Sequence, residues 1–207
     1  MRSVAVVDDN EALNRTMSAL IEHAGHRARA FTTGEALLAD SGFLADCDCV
    51  LLDIGLPGMS GLDVLKLLQD LEAAPSVVVL TGAGDIPMAV EAMRLGAVDF
   101  IEKPYRPSAL LDAVDKAAQQ TDRGRAARSQ GREAAALLRQ LSHRQRQVLA
   151  GMVDGNTSKA IAGHLNLSVR TVEAYRAQLL AKLGARTTTD AVRVALAAPE
   201  LLDDIAA

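Results

Sequence analysis

Short apolar runs alternate with longer amphipathic stretches over the first 120 residues of the chain. The runs are rich in Val, Ile and Leu, which is typical of parallel strands buried on both faces. The longer stretches repeat apolar residues at helical spacing, as Leu62, Leu65 and Leu68 do. This alternation predicts an α/β fold, a doubly wound parallel sheet of five β-α units with helices on both faces. The predicted strands are residues 3–7, 27–31, 49–52, 77–80 and 98–101, and the predicted helices are 11–23, 34–40, 62–72, 86–95 and 108–120.

After residue 140 the pattern is helical throughout and predicts a small all-α domain. Ser142 and Ser168 are good N-cap residues, and Gly184 stands where a helix C-terminus requires a glycine. A short helix, a tight turn and a longer helix together predict a helix-turn-helix. The four predicted helices are residues 143–153, 157–164, 169–183 and 189–198.

The segment between these two patterns has a different composition. Residues 121–132 hold four arginines and two glycines but no large apolar side chain, which indicates a linker that can extend the preceding helix. The predicted organisation is therefore a first domain over residues 1–121, a linker over 122–138, a helix-turn-helix domain over 139–199 and a tail over 200–207.

Composition and charge exclude a disordered chain and distinguish the two parts of the sequence. Apolar residues make up 49% of the 207 residues, which excludes a wholly disordered chain. Residues 1–120 carry 9 basic and 18 acidic side chains, a net charge of −9, whereas residues 121–207 carry 13 and 8, a net charge of +5. The basic second part favours a polyanionic partner. The first residues lack the apolar core of a signal peptide, and no apolar run is long enough for a membrane helix, so we expect a cytoplasmic protein.

Polar side chains stand where the predicted strands end. Asp8 and Asp9 follow the first strand, Asp53 the third and Thr81 the fourth, and Lys103 follows the fifth. The carboxyl ends of parallel strands meet at one edge of the sheet, where open α/β folds bind their ligands. Clustered carboxylates suit Mg²⁺, and a carboxylate can attack a phosphoryl group whose oxygens a metal ion and a lysine neutralise. The sequence thus predicts a site for phosphoryl transfer.

The motifs around these residues resemble the receiver domain of two-component response regulators, in particular the FixJ/NarL family. The resemblance rests on Val6-Val7-Asp8-Asp9-Asn10, on the run from Leu52 to Gly61, on Thr81-Gly82 and on Lys103-Pro104, and the stretches 81–90 and 99–105 are similar to the FixJ branch.

The resemblance implies that Asp53 is the phosphoacceptor for a sensor histidine kinase. Mg²⁺ would be held by Asp8, Asp9, Asp53 and the backbone carbonyl of Gly55, and Lys103 would bind the phosphoryl group. Gly55 stands where receivers often carry a larger polar residue, which leaves the lifetime of the phosphate open.

The resemblance also implies a switch pair formed by Thr81 and Phe100. On the residues alone, Phe100 is more simply interpreted as a core side chain, so its role remains open at this point.

The second domain resembles LuxR-type helix-turn-helix domains, in residues 141–149, 158–162, 167–176 and 182–184. Helical spacing assigns Val172, Tyr175, Leu179 and Leu183 to the core face of the helix 169–183, so that the opposite face can enter a major groove. The candidate DNA contacts are Lys159, Arg170, Thr171, Glu173, Ala174, Arg176, Ala177, Gln178 and Lys182.

Together these features predict a response regulator transcription factor with promoter DNA and RNA polymerase as partners. Phosphorylation would cause homodimerisation through the surface of Val90, Met93 and Arg94. The alternatives are a DNA binder that needs no phosphorylation, or an interaction protein that titrates a kinase or a sigma factor. A phosphatase is disfavoured because Gly55 stands where such enzymes pair their nucleophile with an acid. We therefore expect no enzyme activity beyond slow autodephosphorylation.

Overall fold

Two compact units make up the computed structural model, Met1–Arg125 and Ala126–Ala207. The structure describes residues 1–82 and 86–203. Among these residues, none of the helices combines the length and the apolar character that crossing a membrane demands.

The first unit is a five-stranded parallel sheet in the order β2-β1-β3-β4-β5. The predicted α/β fold is confirmed, and the order reverses between β1 and β3, which opens a crevice at their carboxyl ends. The elements are β1 (Ser3–Val7), α1 (Glu11–His23), β2 (Arg27–Phe31), α2 (Gly34–Ala39), α3 (Ser41–Asp46), β3 (Cys49–Asp53), α4 (Gly61–Gln69), β4 (Ser76–Thr81), α5 (Ile86–Arg94), β5 (Asp99–Glu102) and α6 (Pro107–Leu138), and α6 continues into the second unit.

Alternate residues of the central strands bury opposite faces of the sheet. Val4 and Val6 pack with residues of α1 and α6, whereas Ala5 and Val7 pack with residues of α2, α3, α4 and α5. This two-sided burial explains the unbroken apolar runs of β1, β3 and β4 in the sequence.

The edge strand β2 departs from the sequence prediction. Only Phe31 of its five residues is buried, so the expectation of burial on both faces was wrong for this strand. An edge strand has a neighbouring strand on one side only, and the side chain of Arg29 lies over the apolar residues near this edge. The Arg29 guanidinium lies over the rings of Phe31 and Phe43 and pairs with Asp40 at 2.6 Å. The short helix α3, which contributes Phe43, was not predicted.

A polar cluster joins α6 to the amino-terminal edge of the sheet. The Thr121 hydroxyl donates to the backbone carbonyl of Asp48 at 2.7 Å and accepts from the backbone amide of Ser76 at 2.9 Å. The Asp48 carboxylate accepts from Arg125 at 2.7 Å and from the backbone amide of Ser3 at 2.8 Å. The predicted linker thus begins as ordered helix, and these bonds satisfy the polar groups buried at this edge.

The second unit is helical, as predicted. Ser142 and Ser168 cap their helices, Gly184 ends the third in the left-handed conformation, and the apolar faces form one core. Part of the predicted tail is a short helix, and residues 204–207 lie outside the described residues. The helices are α7 (His143–Val153), α8 (Ser158–Leu165), α9 (Val169–Leu183), α10 (Thr188–Leu196) and α11 (Glu200–Asp203).

Replacing Thr121 with Val should destabilise the first unit, because it leaves the Ser76 amide and the Asp48 carbonyl buried without this partner. We expect the free energy of opening, measured by hydrogen exchange at the β3 and β4 amides, to fall by about 2 kcal/mol. The control is Thr16→Val on the exposed face of α1, where a loss under about 0.5 kcal/mol is expected. Equal exchange rates in the two variants would contradict the role of Thr121.

Candidate functional site

Three carboxylates converge at the carboxyl edge of the sheet, beside the crevice between β1 and β3. One oxygen from each of Asp8, Asp9 and Asp53 lies within 4.8 Å of the others. Asp8 is only 1% exposed, Asp53 is partly exposed and Asp9 is exposed. The cluster therefore opens to solvent on one side.

Local hydrogen bonds fix the position of Asp8. Its carboxylate accepts from the backbone amide of Asn10 at 2.9 Å, and Asn10 in turn caps α1. Asn14, which is buried, donates to the backbone carbonyls of Asp8 and Phe31 at 2.6 and 3.0 Å. The turn from β1 into α1 is therefore rigidly tied to β2.

The loop after Asp53 depends on a glycine. A Cβ atom at Gly61 would lie 2.8 Å from the Cα atom of Ile54 and would also clash with the Asp53 carbonyl oxygen. The Gly61 amide donates to the Ile54 carbonyl at 3.2 Å, so the loop folds back directly onto the end of β3. Only glycine allows this close backbone approach.

Lys103 supplies the positive charge of the cluster. Its ammonium group lies 2.6 Å from an Asp8 oxygen and 3.1 Å from an Asp53 oxygen. Burial by itself lowers the pKa of Lys103, but the hydrogen bonds to Asp8 and Asp53 and their charges outweigh it, and the pKa is raised. The lysine is thus a permanent cation shared by two carboxylates.

The donor set of the cluster fits a hard divalent cation. Three carboxylates carry three negative charges, and Lys103 offsets one of them. Carboxylate oxygens open to water suit Mg²⁺, which keeps several water ligands. Any side chain at position 55 would begin beside Asp53, because a Cβ atom there would lie 3.6 Å from an Asp53 oxygen. Glycine at this position leaves the solvent side of Asp53 uncovered.

Four of the predicted DNA contacts form one exposed face of α9. Glu173, Ala174, Ala177 and Gln178 are exposed, while Val172, Leu179 and Leu183 on the other side are buried, as predicted. Tyr175 is only partly buried and packs against the core of the second unit.

The basic candidates differ in how they are held. Arg176 donates to the hydroxyls of Ser158 and Thr188 at 2.9 and 3.0 Å, and Lys182 donates to the Gln140 carbonyl and the Gln145 side chain. Thr171 shares a hydrogen bond with the N-cap Ser168. Lys159 and Arg170 are exposed, as a phosphate contact requires.

Comparison with known families settles what these two units are. Residues 4–115 match the response regulator receiver domain, and residues 139–195 match the bacterial regulatory proteins of the luxR family. The chain belongs to the response regulators. Its luxR-type second domain makes it a response regulator transcription factor.

Relatives of this response regulator extend over nearly the whole chain. It is 41% identical over 201 residues to the transcriptional regulatory protein FixJ of Azorhizobium caulinodans, covering 94% of this chain and 92% of the relative. It is 40% identical to the C4-dicarboxylate transport transcriptional regulatory protein DctR of Rhodobacter capsulatus, covering 93% and 98%.

Solved structures agree with this assignment. The response regulator StyR aligns with a TM-score of 0.75 and 32% identity, over 94% of this chain and 98% of its own. Full-length FixJ from B. japonicum aligns with a TM-score of 0.59 and 34% identity, over 96% and 98%.

The two switch candidates of this response regulator lie in different environments. Thr81 is buried at the end of β4, and its hydroxyl donates to the Gly82 carbonyl at 3.3 Å. Phe100 is 48% exposed, so its interpretation as a core side chain was wrong. On the edge strand β5, the neighbouring Ile101 points into the core and Phe100 points away from it.

The predicted dimer surface is exposed on α5. Val90 and Met93 are large apolar side chains that are 47% and 41% exposed, and Arg94 lies beside them and pairs with Glu91. The structure therefore leaves this surface available on the first unit.

Asp9→Asn should weaken Mg²⁺ binding by about tenfold, because it removes one of three charges that attract the cation. Isothermal titration with MgCl₂ measures the effect. The matched control is Glu11→Gln, which removes an exposed charge just outside the cluster and should leave the affinity within about twofold. Equal weakening in both variants would mean that only general charge attracts the ion.

Proposed function

We propose that this response regulator accepts a phosphoryl group on Asp53 from a sensor histidine kinase in a Mg²⁺-dependent reaction. The observation that supports this most is the open cluster of Asp8, Asp9 and Asp53 with Lys103 bound to two of its members. The phosphorylated protein then dimerises and binds promoter DNA through α9, which leads to control of transcription by RNA polymerase. Such a regulator acts in the cytoplasm, where bacterial promoters are.

The phosphoryl step follows from the charges of the site. An Asp53 oxygen attacks phosphorus, the bond between phosphorus and the kinase histidine nitrogen breaks, and that nitrogen keeps the bonding electrons. Asp8, Asp9, Asp53 and the Gly55 carbonyl would hold Mg²⁺, which would supply positive charge to the phosphoryl oxygens. Lys103, already 3.1 Å from Asp53, donates to a phosphoryl oxygen in the product.

The change from phosphorylation to dimerisation involves Thr81 at the carboxyl edge of the sheet and exposed side chains of β5 and α5. In the proposed switch, Thr81 turns its hydroxyl to the phosphoryl group and Phe100 turns inward behind it. This change would remodel the surface around α5, where Val90 and Met93 then meet a second copy of the chain. Two copies present two α9 helices to successive half-sites of DNA.

We further propose that the protein is a phosphoacceptor and not a turnover enzyme. At Gly55, two residues after Asp53, there is no side chain to activate a water molecule. Loss of the phosphate is then limited to slow autodephosphorylation.

Beryllofluoride with Mg²⁺, which mimics the aspartyl phosphate, should double the molar mass of the wild type and tighten its binding to DNA. Light scattering gives the mass, and selection from a pool of duplexes with a randomised centre gives the DNA affinity and sequence preference. Asp53→Ala should abolish both responses, because the mimic needs that carboxylate.

The control for this experiment is Asp46→Ala, which removes an exposed aspartate of α3 and should respond like the wild type. If the wild type binds a defined sequence equally with and without beryllofluoride, the protein is a constitutive DNA binder. If its molar mass doubles but it selects no DNA sequence, the result favours the alternative of an interaction protein that titrates a kinase or a sigma factor.

Met93→Asp should keep the beryllofluoride-treated protein monomeric, because it places a charge in the apolar contact between the two copies. Leu67→Asp on α4 is the matched control, since Leu67 is an exposed apolar residue of similar accessibility on another helix. Light scattering should show a dimer for Leu67→Asp and a monomer for Met93→Asp. A dimer in both variants would place the dimer interface elsewhere.

A further inference from the structure

A row of hydrogen bonds connects the amino end of α7 to the exposed face of α9. The Lys182 ammonium donates to Oε1 of Gln145 at 2.9 Å, and the backbone amide of Ser142 donates to the same oxygen at 3.0 Å. Nε2 of Gln145 donates to Oε1 of Gln178 at 3.1 Å. Gln145 is only 4% exposed, whereas Gln178 is exposed.

The direction of these bonds is fixed by chemistry. A lysine ammonium and a backbone N–H can only donate, so the group of Gln145 that faces them must be its carbonyl oxygen. The NH₂ group of Gln145 therefore faces Gln178. A flipped Gln145 amide would set donors against donors on two sides and leave a buried oxygen without these partners.

The orientation of the Gln145 amide also fixes the orientation of the Gln178 amide. Its oxygen must face Gln145, because only an acceptor can meet the Gln145 NH₂ group. Its own NH₂ group then points away from Gln145, on the same helix face as Glu173, Ala174 and Ala177. An isolated exposed glutamine could turn either its oxygen or its NH₂ group toward solvent. Gln178 turns its NH₂ group outward, because its oxygen is held by Gln145.

We propose that Gln145 is a positioning residue that sets the polarity of Gln178, so that α9 offers DNA a pair of N–H donors at this position. The complementary group on DNA is a hydrogen-bond acceptor, either on a base edge in the major groove, such as N7 or O6 of guanine, or a phosphate oxygen. This inference rests on the proposed function, since it requires α9 to face DNA.

The test is Gln145→Glu in the full-length protein. A glutamate keeps the length of the side chain, still accepts from Ser142 and Lys182 and preserves the capping box of α7. It has no donor for Gln178, so Gln178 turns its NH₂ group inward and presents its oxygen to DNA. The control is Gln147→Glu, which makes the same change of charge on the same helix at a residue that is hydrogen-bonded to Arg144.

Two readouts follow this reversal. In NMR spectra, one side-chain amide proton of Gln178 should become protected from exchange in Gln145→Glu, and in neither the wild type nor Gln147→Glu. In selection from the randomised duplex pool with Mg²⁺ and beryllofluoride, Gln178→Ala identifies the base pair that Gln178 contacts. At that pair, Gln145→Glu should lose about tenfold of the preference for an acceptor such as guanine and shift toward a base that offers a donor, adenine or cytosine.

The same experiment separates the two kinds of acceptor. If Gln178 contacts a phosphate oxygen, Gln145→Glu and Gln178→Ala should weaken binding to all sequences by similar factors and leave the selected sequence unchanged. Both patterns support the proposal, provided that Gln147→Glu does not reproduce them.

Two results would overturn it. If Gln145→Glu matches Gln147→Glu in amide protection, affinity and selected sequence, Gln145 has no positioning role although the proposed function stands. If the wild type enriches no sequence and binds no duplex, the proposed function fails, and the DNA-facing role of Gln178 fails with it.

Discussion

The repulsion among three carboxylates at one edge of a parallel sheet is the constraint around which the first unit is organised. Asp8 is almost completely buried, and such a charge is stable only with a partner. Lys103 supplies that partner from the far side of the sheet, at the end of β5. The hydrogen bonds to Asp8 and Asp53 and their charges raise the pKa of Lys103 in spite of its burial. The ion pair between Lys103 and Asp8 connects the end of the last strand to the end of the first.

The opposite edge of the sheet shows what a purely structural acidic group looks like. There the Asp48 carboxylate is closed off by Arg125 and by the Ser3 amide, and Thr121 completes the cluster. Among the described residues, no hydrogen bond or ion pair of the structure engages Asp9. An acidic cluster that is satisfied stabilises the fold, whereas one with an open, unpaired member is suited to bind a cation.

Periodicity and strand ends in the sequence were enough to predict the fold class and to bring the carboxylates together, because both depend on local patterns. The exposure of Phe100 was not predicted from the residues alone. Strand β5 lies at an edge of the sheet and alternates half-buried and exposed residues, so that Phe100 and Glu102 face away from the core. The contacts of Gln145 and Thr121 join segments more than 30 residues apart. A single sequence carries no signal for such pairs, and a buried glutamine looks like any surface glutamine.

Some basic side chains of the second unit already donate hydrogen bonds to groups of the protein itself. The net charge of residues 121–207 favours a polyanion, but counting charges assumes that every basic side chain is free to bind one. Arg176 and Lys182 donate hydrogen bonds to groups of α7, α8 and α10, and these bonds hold α9 against the three helices. In the proposed complex with DNA, neutralisation of the phosphates would therefore fall chiefly to exposed residues such as Lys159 and Arg170. Under the proposed function, the hydrogen bond from Gln145 orients Gln178 on the helix face that would contact the bases. Exposed charge would then govern affinity, and this polar contact would govern specificity.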